Sequence, residues 1–94
     1  MMIEWIARFE RSHPGTYWTW STYVGDGWWA CVMEDPEING EYGKTVYSVF
    51  LSHEDGRDID ADGNILYDTL QQAKQAAIEL ACTYLAYREK REKR

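Results

Sequence analysis

The sequence predicts an α+β domain, an antiparallel meander of three to five strands with one C-terminal helix packed on one face. Three observations carry the prediction. Residues 16–24 are β-branched and aromatic almost throughout, as a strand prefers. Gly25-Asp26-Gly27 interrupts them before a second apolar run, Trp28–Met33, which is a hairpin signal. Residues 70–87 contain no Pro or Gly and place apolar side chains at helical spacing. At 94 residues, with no internal repeat, linker or low-complexity stretch, residues 1–94 form a single domain.

Ile3, Trp5, Ala7 and Phe9 alternate with Glu4, Ile6, Arg8 and Glu10, so residues 3–10 read as a strand, with a short helix as the alternative. Ser12-His13-Pro14-Gly15 is a turn. A loop broken by Pro36, Gly40 and Gly43 leads to a strand at Thr45–Leu51. A polar loop over 52–63 precedes a short extended piece, Asn64–Tyr67. Thr69 can cap a helix that runs to about Tyr87, with Leu70, Ala73, Ala77, Leu80, Ala81, Tyr84 and Leu85 on one face. The basic run 88–94 suits the negative end of the helix dipole and is expected to fray.

Which residues share a sheet face depends on the first turn. Trp18, Trp20, Thr22 and Val24 form the better core face of residues 16–24, the one expected beneath the helix. A two-residue turn would bring Trp29, Cys31 and Met33 to that face, and a three-residue turn would bring Trp28, Ala30 and Val32. Either way Tyr17, Tyr23 and one of Trp28 or Trp29 lie on the second face, which a single helix leaves without cover.

The net charge is −6, and its distribution is uneven. Residues 34–68 hold ten acids against Lys44 and Arg57, whereas residues 69–94 are net basic. Such a balance argues against direct binding to a nucleic-acid backbone. No window reaches the ~18 apolar residues of a membrane span, and Met1-Met2-Ile3-Glu4-Trp5 is not built like a secretory signal, so the expected location is the cytoplasm. Cys31 and Cys82 are too few for a disulfide scaffold or a thiolate zinc site and read as packing thiols.

Asp58, Asp60, Asp62, Gly63 and Ile65 resemble the first eight positions of an EF-hand calcium loop. The resemblance ends at the twelfth position, where Thr69 stands in place of the bidentate Glu, and His53–Arg57 is not a preceding helix. These three aspartates are therefore a weak metal candidate only, and no metal or other cofactor is expected. Thr69–Leu85, with Ala73-Lys74 inside it, resembles the last helix of the double-stranded RNA-binding domain. Only Lys74 matches that family's phosphate-binding lysines, since Leu70 and Gln71 occupy the earlier places. Ser12-His13 and Ser52-His53 are neighbours that would point apart on a strand, and no glycine-rich phosphate loop occurs, so no enzyme is expected.

The leading expectation is a non-catalytic protein-binding module whose partner has a basic surface. Its expected contact residues are Glu34, Asp35, Glu37, Glu41, Glu54, Asp55 and Asp58 on acidic loops, held on one side of the sheet. Tyr17, Tyr23, Trp28 and Trp29 would add an aromatic face. In being small, acidic and Trp-rich, the chain resembles the phage-encoded inhibitors of bacterial defence, the anti-CRISPR and anti-restriction proteins. That resemblance implies a target whose basic nucleic-acid channel is occupied; it assigns no residues. The alternative is a homodimeric structural protein paired through the open sheet face. A calcium- or nucleic-acid-binding module comes last.

Overall fold

A computed structural model describes residues 3–12, 15–34, 45–60 and 65–92. The elements run β1 (Ile6–Ser12), β2 (Gly15–Gly25), β3 (Trp28–Glu34), β4 (Tyr47–His53), β5 (Asp58–Asp60) and α1 (Leu70–Glu92). All five strands join one antiparallel sheet in the order β1-β2-β3-β4-β5, with α1 packed across it. The fold class is thus the expected one, at the upper end of its strand count, and residues 6–12 are strand rather than helix.

The first long hairpin answers the question of faces in a way that combines both expected turns. Asp26 and Gly27 have φ of 54° and 81°, the two left-handed residues of a two-residue type I′ turn. That turn pairs Gly25 with Trp28, but the register then shifts between Tyr23 and Gly25, leaving Val24 as an extra residue. One extra residue swaps the faces. Trp20 therefore pairs with Val32 and Thr22 with Ala30, so Trp28, Ala30 and Val32 share the face of Trp18 and Trp20.

That face carries the core: Trp28, Ala30, Val32, Val49 and Leu51 from the sheet, and Ala73, Ala77 and Ala81 from the helix. The three alanines recur every four residues on one stripe of α1 and are 0–1% exposed. Their small size lets the helix sit close to the Trp28 indole, which meets Tyr84 edge-on at 5.0 Å. The Thr69 hydroxyl accepts the Gln72 amide at 3.1 Å and caps α1 as expected. At the other end the helix does not stop near Tyr87: it continues to Glu92, so Arg88–Glu92 belongs to the helix and not to a frayed tail.

Two further expectations change. Trp18 is 42% exposed and does not lie under the helix. A helix is about 10 Å across and strands are about 4.8 Å apart, so one helix covers about two strands. Here these are β3 and β4. Trp20, half-buried against Tyr47, marks the margin of the covered area, and Trp18 and Phe9 lie beyond it. Second, the polar stretch 52–63 contains a strand. Ile59 pairs with Leu51 and packs on the core, while Asp58 and Asp60 flank it on the other side. At the end of the meander, Tyr67 is an isolated bridge to Tyr47, with reciprocal backbone bonds of 2.9 and 2.8 Å.

Candidate interaction face

The face of the sheet opposite α1 is assembled by the same register. From β2 it receives Tyr17, Thr19, Ser21 and Tyr23; from β3, Trp29, Cys31 and Met33; from β4, Ser48, Phe50 and Ser52. Edge strand β1 adds Ile6, Arg8 and Glu10, and edge strand β5 adds Asp58 and Asp60. No helix or strand among the described residues lies over it. Tyr23 is 52% exposed and meets Trp29 edge-on at 5.2 Å. The Tyr23 hydroxyl accepts the Gly27 amide at 2.9 Å, which fixes the ring against the turn. Tyr17, Trp29, Met33 and Phe50 are half-buried by their neighbours in the sheet.

A shallow depression of about 240 Å³ opens on this face, lined by Ile6, Arg8, Ser21, Trp29, Cys31 and Ser52. Cys31 forms part of its lining and is 5% exposed. Its thiol receives the Ser21 hydroxyl at 3.5 Å and points to the Trp29 carbonyl at 3.7 Å. Burial raises the Cys31 pKa above its ordinary value, with the nearby Asp58 charge acting in the same direction, so the thiolate is disfavoured at neutral pH. Its burial fits the packing role expected of it.

Of the expected contact residues, Tyr17, Tyr23 and Trp29 do come together on the open face, with Asp58 at its β5 edge. Trp28 does not: it is 0% exposed beneath α1, and its ring is unavailable to a partner. Asp35, Glu37 and Glu41 lie outside the described residues. Glu34 ends β3 opposite Tyr47, whereas Glu54 and Asp55 follow His53 in the turn at the other end of β4. A seven-residue strand spans about 23 Å. Glu34 and the pair Glu54 and Asp55 therefore lie at opposite ends of β4. The Asp55 charge is also partly answered, by the Arg57 amide at 3.0 Å and Arg57 Nε at 2.7 Å, with His53 Nδ1 beside them at 3.0 Å. The Arg57 backbone bond, followed by these side-chain partners, holds its carboxyl below the usual value.

The EF-hand resemblance does not extend to the backbone. Asp58 and Asp60 lie in β5, pairing with Ser52 and Phe50 in a ladder instead of wrapping a loop, and Asp62 lies outside the described residues. Among the described residues no three His, Cys, Asp or Glu side chains gather as a metal site, and no helix is long and apolar enough to cross a membrane. Ser52 and His53 point to opposite faces, as neighbours on a strand must.

One constellation the sequence did not announce is centred on His53. Its Nε2 lies 2.9 Å from the Asp26 carbonyl and its Nδ1 accepts the Asp55 amide at 3.1 Å. The imidazole thus joins the tips of two hairpins, with Trp28 against its ring at 4.7 Å and the Arg57 guanidinium over Trp28 at 5.3 Å. Compared with protein-family models, curated proteins and solved structures, the chain matches none.

Proposed function

We propose that this chain is a non-catalytic protein-binding module that makes contact through the sheet face opposite its helix. The observation that supports this reading is the set of Tyr17, Tyr23, Trp29, Met33 and Phe50 on a face that no described helix or strand covers. Aromatic residues and Met are enriched where proteins bind one another, and they supply most of the affinity there. The hydroxyls of Thr19, Ser21, Ser48 and Ser52 between them keep the face wettable when it is free. Paired substitutions, Tyr23→Ser and Trp29→Ser, remove the largest rings without touching the core. In a pull-down with nuclease-treated and untreated arms, the native chain should retain a protein partner in both arms, and the double variant should lose it. Retention that depends on nucleic acid, or that ignores both substitutions, counts against the reading.

A second reading within the same class is favoured by the exposed acids Asp58 and Asp60 at the β5 edge of that face. They would meet basic groups on the partner, as expected of an inhibitor that occupies a nucleic-acid-binding surface. Its association rate would then fall as salt screens charges beyond the ~10 Å Debye length at 0.1 M. An association rate unchanged by salt leaves the aromatic face alone as the binding element.

A further inference from the structure

We propose that β1 pairs edge to edge with β1 of a second copy, continuing the two sheets into one of ten strands. This surface is distinct from the open face just described. β1 is the longer of the two edges, seven residues against three in β5, and pairs regularly with β2 along its whole length without a bulge. Among its described residues it carries no Pro or Lys, which are frequent guards of a free edge. Ile6, Arg8 and Phe9 on it are exposed.

The charges select one register. Two copies of β1 related by a two-fold axis pair antiparallel, and outward-facing amides meet outward-facing amides only when residues of the same parity are opposite each other. Three such registers are central. Centring on Arg8 sets Arg8 against the partner's Arg8, and centring on Glu10 sets two acids against each other. Centring on Phe9 places Arg8 opposite the partner's Glu10, and Glu10 opposite the partner's Arg8. Only this last register also overlaps all seven residues, Ile6 opposite the partner's Ser12 and so through the strand. Charges that would guard the edge against other strands thereby become complementary to its own copy.

The aromatic packing agrees. On the helix side of the sheet, Tyr47, Trp20, Trp18 and Phe9 form a row with successive centroid separations of 5.9, 6.5 and 5.2 Å. The row ends on the edge strand at Phe9, 53% exposed, next to Trp18, 42% exposed. In the Phe9-centred register the two Phe9 residues oppose each other on the two-fold axis, and the row continues into the second copy. The exposure of Phe9 and Trp18, which α1 leaves uncovered, is then relieved by the partner.

Sedimentation equilibrium of the full chain, compared with its Arg8→Glu and Glu10→Arg single variants and the double exchange, tests this. The native chain should form a concentration-dependent dimer. Each single variant places like charges opposite each other twice per dimer and should weaken it about tenfold, while the double exchange should restore it to within about threefold. Thermal melting of each variant checks that the monomer fold is retained. Hydrogen exchange on the native chain gives a reading independent of any substitution: amides of 6–12 should gain protection as concentration rises. A monomer at concentrations used for NMR, a dimer indifferent to both reversals, or a β1 whose exchange does not change with concentration would each overturn the proposal.

Discussion

His53 shows how one side chain can organise a region that the chain reaches twice, at the tips of two hairpins. It receives or contacts the Asp26 carbonyl, the Asp55 amide and the Trp28 ring, and the Glu54 amide bonds the Gly27 carbonyl at 3.0 Å beside it. Replacing it with Ala removes an acceptor from the Asp55 amide and a partner from the Asp26 carbonyl, at about 0.5–1.5 kcal/mol for each bond lost. His53→Ala should therefore lower stability in urea titration by about 1–3 kcal/mol. The neighbouring Gly27 is constrained twice: its φ of 81° disfavours a side chain, and a Cβ there would stand 2.6 Å from His53 Nε2. Asp55 makes this region sensitive to acid. Its pKa is depressed in the folded protein, so its contribution is present above the unfolded value of 3.8 and is lost as pH falls through the lower folded value. The melting-temperature difference between the native chain and Asp55→Asn should thus be positive at pH 6 and close below pH 3.8. A difference that stays constant across that range would show that the charge contributes nothing.

At the scale of elements, the alanine stripe and the bulge decide how the sheet and helix meet. Ala77 is 0% exposed among Ala73, Ala81 and the sheet residues beneath them. Glu at that position would bury a charge without a partner, which costs about 3–5 kcal/mol, a large share of the ~5–15 kcal/mol that stabilises a domain. Ala77→Glu should melt far below the native chain or fail to fold, and an unchanged melt would mean α1 is not docked by this stripe. β5 carries the opposite lesson. Because Asp58 and Asp60 are ladder residues, millimolar calcium should raise the melting temperature by no more than a degree or two. A larger rise, abolished by Asp60→Asn, would restore the calcium reading. These elements were not equally legible. α1 was, through its apolar spacing and its cap, except that periodicity alone did not show Arg88–Glu92 continuing the helix. β5 was not, because three residues with a single apolar side chain carry no period.

For the whole molecule, one helix over a five-stranded sheet produces a graded stability. β3 and β4 are sandwiched in the sheet and covered by α1, while β1 and β5 each pair on one side only. Amides of Ala30–Val32 and Val49–Leu51 should therefore exchange only through global unfolding, and those of Asp58–Asp60 through local opening at much lower free energy. Equal protection across the sheet would contradict this layering. By itself the sequence determined the fold class, the strand-rich first two-thirds, the capped C-terminal helix and the presence of aromatic residues on the sheet face opposite the helix, because each follows from local propensity or from strand alternation. Only the tertiary structure decided that Trp28 is core and Trp29 is surface, since a bulge at Val24 reverses the parity that the turn alone would set. It also decided that Trp18 and Phe9 stay exposed, since the width of one helix against the strand spacing limits what α1 can cover.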